Sequence, residues 1–281
     1  MAQALVRRGE TSLAPGVMPT PEAHLRLETR DGGAIAQVTL DDEARLNVFS
    51  GALMSAFLRV MEGLHSKADL RCVVLTGAGE RAFVAGADIL EMAEIIGPAQ
   101  ARAFIGEVHA CCEAVRALPV PVIARINGHA LGAGLELAAS CDLRVASDNA
   151  TFGMPEVKVG VPSVVEAALL PGLIGWGRTR EMLMLGLTCD ANAAREMGLV
   201  DAVVAPEQLD AAVETRIAAV LDAKPEAVRL QKALIRRWET LPLREAVAVG
   251  VDTFAQAFLT SEPHEAMAAW RQAREARKRN G

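Results

Sequence analysis

The chain has 281 residues, 51% hydrophobic and 23% charged, which is ample material for a packed core and rules out an intrinsically disordered chain. Aromatics are 4%, tyrosine is absent and the formal net charge is −6, so there is neither a stacking platform for single-stranded nucleic acid nor a basic field for DNA, RNA or anionic lipid. An anionic ligand must be held locally, by backbone amides or a few placed basic side chains.

Residues 1–24, with scattered Pro, Gly and Ser, read as a loose leader without a signal-peptide apolar block. The regular pattern then begins. Ala34–Leu40 reads as a strand, and Ser50 is placed to N-cap a helix through ALMSAFLRVMEGLH. Arg71–Thr76 is a β-branched run of buried-strand type, ended by Gly77 and Gly79. A small-residue loop, Ala82–Asp88, leads into a helix over ILEMAEII, and Pro98 opens another helix through about Leu118. Val120–Ile126 reads as a strand ended by the Asn127-Gly128 turn, followed by a small-residue helix from about Gly132. Leu143–Ala146 and Asp201–Val204 are further strands, and from Pro206 to Arg279 the periodicity is helical throughout. The fold class is α/β, with a core over 25–205 and a helical region over 206–281.

The five cysteines are odd in number, include one adjacent pair and form no CxxC, so neither a disulfide framework nor a zinc site is expected. They read as core thiols of a reducing, cytoplasmic compartment. No apolar run approaches the roughly 18 residues of a membrane span.

Three features have the residue types that chemistry needs. AFVAGAD (82–88) and HALGAGLE (129–136) each join a strand to a helix through small residues. Helix starts leave backbone N–H groups without internal partners, and these suit an oxygen that gains negative charge. The third is Glu136, a carboxylate in the apolar stretch LGAGLELAAS, where an unpaired charge is costly. Glu156 follows in another small, apolar loop. If the two converge, proximity and burial push their proton affinities apart and divide acid from base. Spacing alone does not bring them together.

AFVAGADILEM, INGHALGAGLELAASCDLRVAS, ATFGMPEVKVG and AREMGLVDAVV together resemble the crotonase (enoyl-CoA hydratase/isomerase) superfamily, in its motif order and spacing, from about residue 25 to the C-terminus. The resemblance implies a spiral of repeated ββα units with a C-terminal helical region, assembled as a homotrimer or a dimer of trimers. It implies an acyl-CoA substrate and enoyl-CoA hydratase activity, syn addition of water to a 2-enoyl thioester, without metal or cofactor beyond the coenzyme A of the substrate. The matching positions are Ala87 and Ala133 for the two oxyanion amides, and Glu136 and Glu156 for the hydratase glutamates, Glu136 as base toward water and Glu156 as acid toward C2. The same motifs make Ala85, Gly86, Asp88, Ile89, Gly132 and Gly134 substrate-binding, with Arg45 as the displaced basic residue.

Three positions depart from the family. Its glycine-rich PGAGG is here Pro162-Ser163-Val164-Val165-Glu166, which reshapes the acyl site and adds a third carboxylate; read without the family, Glu166 is a helix-start acid complementing the dipole. A lysine credited with coenzyme A contact is Leu90, and Arg45 is out of its usual place. The other histidines, His24, His65, His109 and His129, read as solvated or structural, Asp142 as a structural hydrogen-bonding group, and the terminal RQAREARKR run as a solvated helix face, with Arg274 or Lys278 as its candidates for coenzyme A. The alternatives are an enoyl-CoA isomerase, a thioester hydrolase of the same family, or, from another class, a non-catalytic RNA-binding homologue. The acidic balance, the Glu pair and the few aromatics weigh against the last.

Overall fold

The computed structural model describes residues 20–30 and 32–280; the leader lies for the most part outside them. In chain order the elements are β1 (Glu22–Arg30), β2 (Gly33–Asp41), α1 (Gly51–His65), β3 (Leu70–Gly77), β4 (Ala82–Val84), α2 (Ile89–Ala93), α3 (Pro98–Ala117), β5 (Val122–Ile126), β6 (His129–Leu131), α4 (Ala133–Ser140), β7 (Leu143–Ser147) and β8 (Thr151–Gly153). Two 3-10 turns, Glu156–Val159 and Val165–Leu169, lead into α5 (Leu170–Leu185), β9 (Thr188–Asp190), α6 (Ala191–Glu196) and β10 (Ala202–Val204). Four helices close the chain: α7 (Leu209–Asp222), α8 (Pro225–Trp238), α9 (Leu243–Ala257) and α10 (Glu262–Asn280).

The strands form a six-stranded sheet, β1-β2-β3-β5-β7-β10, and a four-stranded sheet, β4-β6-β8-β9. Pairing is parallel except for β1–β2 and β8–β9. The pairs β3/β4, β5/β6 and β7/β8 each put one strand in the large sheet and the next in the small sheet before a helical segment, which is the ββα repeat expected from the sequence. Each repeat therefore delivers a strand-to-helix junction at the same edge of the small sheet.

Alternation along β3 explains why RCVVLT reads as one continuous apolar run. Val73 and Leu75 enter the main core with Phe83, Ile126, Leu135 and Phe152. Cys72 and Val74 point the other way, into a second core against Leu209, Val213 and Ile217 of α7. The strand is buried on both faces.

Ser50 caps α1 as expected, its side chain accepting from the Leu53 N–H. Several boundaries differ from the sequence reading. β1 was not anticipated; it is an edge strand with mostly exposed residues, so its alternation is masked by charge. β5 begins at Val122 rather than Val120, because Pro121 has no N–H and contributes its carbonyl to Val73 N–H instead. The helix over ILEMAEII stops at Ala93 after five residues. The cysteines are free, four of them buried. No helix among the described residues is long and apolar enough to cross a membrane.

Candidate active site

Two of the strand-to-helix junctions face each other. After β4 the chain is tied to the segment before α1: Ala85 N–H donates to Leu46 O, Phe49 N–H to Gly86 O, and Asp88 N–H to Phe49 O. Ala87 N–H takes no part in this ladder. After β6, Gly132 N–H donates to Gly153 O, while Leu135 and Glu136 N–H both donate to Gly132 O. Ala133, first residue of α4, has no acceptor for its N–H among the described residues. Two free backbone donors thus come from adjacent junctions, one at a helix start with its positive dipole end.

Glycine is required at two places here. Gly132 sits at φ 51, ψ −123, a backbone region closed to L side chains, and a β-carbon there would stand 3.8 Å from Gly86 Cα and 2.5 Å from Glu156 Oε1. Gly134 lets α4 approach β4: its β-carbon would lie 1.9 Å from Val84 O. The two junctions are therefore in near contact through bare backbone.

Between these junctions and the α2–α3 segment lies a cavity of about 440 Å³, lined by Ala87, Ala133, Glu136 and Glu156 together with apolar side chains that include Met92, Ile95, Phe104, Ile105 and Val164. All four residues expected to be catalytic from the sequence line one space. Its wall is mostly apolar, which suits an acyl chain.

The two carboxyl groups sit differently. Glu136 is buried in the first turn of α4 and accepts from Ala167 N–H at 3.3 Å. Burial, and then the charge of Glu156, push its proton affinity up to about 8. Glu156 is half-buried and accepts from the Ser163 hydroxyl at 2.7 Å.

The expected substrate-binding residues divide. Ala85, Gly86, Gly132 and Gly134 shape the backbone of the junctions. Asp88 is buried, caps α2 by accepting from Leu90 N–H at 2.9 Å, and pairs with Arg45 at 2.7 Å. Arg45 also pairs with buried Asp42 at 2.8 Å, so its guanidinium is committed within the fold rather than free for a phosphate. Ile89 is 61% exposed and outside the cavity wall. Of the tail candidates, Arg274 stacks on Trp270 on exposed α10, and Lys278 is exposed. Asp142 is structural, accepting from Val122 N–H and buried Lys232.

Three residues near the site take positions that the sequence does not reveal. Ser163 belongs to a loop whose contact with Glu156 closes only in three dimensions. Glu166 does stand in the first turn of its 3-10 helix, but it is buried, and its Oε1 lies 2.7 Å from His109 Nδ1. His109 reads from the sequence as solvated or structural; it lies on α3 one turn beyond cavity-lining Ile105 and outside the cavity wall itself.

Comparison with known proteins identifies the family. A family model described as enoyl-CoA hydratase/isomerase matches residues 30–279. The chain is 34% identical over 239 residues to a short-chain-enoyl-CoA hydratase of Clostridium acetobutylicum, covering 85% of this chain and 91% of that protein. It is 37% identical over 205 residues to a crotonyl-CoA hydratase of Syntrophomonas wolfei, covering 73% and 78%. Among solved structures, an enoyl-CoA hydratase of Mycobacterium smegmatis superposes with a TM-score of 0.84 at 30% identity, covering 89% of this chain and 96% of that one.

Proposed function

The chain belongs to the enoyl-CoA hydratase/isomerase family, and from that premise we propose that it is an enoyl-CoA hydratase in which Glu136 and Glu156 add water across the double bond of a 2-enoyl thioester. The observation that carries this reading is the meeting of both glutamates and both free junction amides on one apolar-walled cavity.

The thioester oxygen is the point where charge develops when C3 is attacked, and Ala87 and Ala133 N–H are the donors to it. The pair enters the reaction with one proton, carried by Glu156. Ionised Glu136 takes a proton from water as its oxygen bonds to C3, and Glu156 gives its proton to C2 as the enolate collapses. The pair ends with one proton again, now on Glu136, the position favoured in the unliganded site. Atoms balance without metal or redox cofactor, and coenzyme A enters as part of the substrate.

The substrate is a 2-enoyl-CoA of the kind met in fatty-acid metabolism. Assembly as a homotrimer or dimer of trimers is supported by apolar side chains left exposed on the C-terminal helices, among them Val247, Val251 and Phe254. A cytoplasmic location is supported by the five free thiols. The test is a panel of 2-enoyl-CoA esters, short to long, followed by loss of the conjugated absorbance. Hydration of at least one ester at enzymatic rates is expected; consumption of none, with 3-enoyl esters converted instead, would make the chain an isomerase.

A further inference from the structure

One buried group has no part in this mechanism. Glu166 Oε2 is enclosed by protein and has no hydrogen-bond partner among the described residues, while Oε1 is held by His109. Buried polar atoms without partners are uncommon and costly, so the position calls for a reason. Val165, just before it, adopts φ 39, a left-handed conformation that a β-branched residue reaches only under constraint. The backbone is strained where it turns Glu166 inward.

The surroundings tie this side chain to Glu136. The carboxyl of Glu136 accepts from the N–H of Ala167, the residue directly after Glu166. His109 Nδ1 and Glu166 Oε1 are joined by one hydrogen bond of 2.7 Å. His109 is half-exposed on α3, one turn beyond cavity-lining Ile105. We propose that His109 and Glu166 are a positioning pair for Glu136: the imidazole anchors Glu166, and Glu166 fixes the short turn whose Ala167 N–H holds the Glu136 carboxyl.

The pair acts in two ways. It holds the Ala167 N–H donor in place, which fixes the direction of the Glu136 oxygen toward substrate. It also keeps a negative charge behind Glu136, which strengthens that group's hold on a proton. The other groups that face Glu136 are Glu156 from the first 3-10 turn and, near both Glu136 and Glu166, the Cys112 thiol of α3. Of the strands packed against α4, β4 has no titratable side chain and β6 has His129, which is outside the charges acting on Glu136.

The inference rests on the hydratase reading for its kinetic arm, and a second arm is independent of it. His109→Ala and Glu166→Gln should each lower kcat about tenfold or more, since small misplacements of a catalytic group are expensive. KM should stay within about twofold, because neither side chain lines the cavity. His109→Gln, which keeps a donor for Glu166, should recover most of the turnover, and in Glu166→Gln the alkaline limb of the rate profile should move to lower pH. In protein labelled with carboxyl-13C glutamate, the Glu136 resonance, identified by its loss in Glu136→Gln, should titrate at lower pH in Glu166→Gln. If Glu166→Gln does not fold, the half-exposed His109 site supports the same comparison through Ala against Gln. Unchanged kcat and pH limb, or a loss in His109→Ala that Gln does not restore, would overturn the proposal. A shifted resonance in a protein that hydrates nothing would preserve the pair and defeat the hydratase reading instead.

Discussion

Gly132 and Glu156 stand so close that a β-carbon on the glycine would lie 2.5 Å from the carboxylate Oε1. The residue that caps the start of α4 thus also sets where the second carboxyl can sit. Gly132→Ala should both strain the φ 51 backbone, by ~1–3 kcal/mol, and displace Glu156. Hydration should fall far more than thermal stability does. Near-normal turnover at an intact melting temperature would mean that the two groups are not coupled.

Ser163 orients Glu156 through a 2.7 Å hydrogen bond. An ordinary side-chain hydrogen bond contributes ~0.5–1.5 kcal/mol and a misdirected carboxyl costs turnover besides, so Ser163→Ala should lower kcat several-fold or more with little change in KM. Ser163→Thr keeps the hydroxyl and should retain most of the activity. Equal loss in both variants would point to packing rather than the bond.

Ala133 is the first residue of α4, the helix position where proline is tolerated. Ala133→Pro therefore removes the N–H while sparing the helix, and turnover should fall by the ~2.7–4 kcal/mol typical of a lost oxyanion donor. Ala133→Gly keeps the donor and should be mild. Steady-state kinetics with a circular-dichroism control decides between them.

The proton affinity of Glu136 has a stability consequence. Its folded value of about 8 lies above the ordinary 4.5, so the folded state binds more protons than the unfolded chain between these limits. Stability should therefore decline as pH rises from about 4.5 to about 8, and Glu136→Gln should remove that slope and melt higher than the parent at pH 8. In the rate profile the same proton leaves the pair above about 8, so kcat/KM should fall on the alkaline side. A melting temperature of Glu136→Gln below the parent at pH 8 would contradict the burial argument.

The altered loop divides between two roles. Val164 is 38% exposed and lines the cavity, whereas Val165 packs against the core. Val164→Ala should widen the acyl groups accepted at little cost in stability. Val165→Gly should leave the substrate profile unchanged, and glycine there adopts φ 39 without the strain of a β-branched residue. A widened profile from Val165→Gly would reverse this assignment.

Much of the fold is legible in the sequence where burial is two-sided or periodicity is long. β3 announces itself as an unbroken apolar run, and α1 and α3 by a Ser cap and an opening proline. The three-residue strands β4, β6 and β8 carry no period to read, and they are the ones that deliver the site. Ala87, Ala133, Glu136 and Glu156 were found through the motifs around them, since nothing in their spacing brings them together. Arg45 misled because a basic residue near a loop looks free until its partners, Asp42 and Asp88, are seen. His109 and Glu166 are 57 residues apart, and no local pattern reports a hydrogen bond across that distance.

The central claim is that Glu136 and Glu156 act as one unit on a 2-enoyl-CoA. Hydration rates of the parent, Glu136→Gln, Glu156→Gln and the double variant, measured on one accepted ester, test it most directly. Each single variant should lose orders of magnitude, and the double should lose far less than the product of the two, because both groups serve one transition state. Full activity in either single variant, or losses that multiply in the double, would contradict the account.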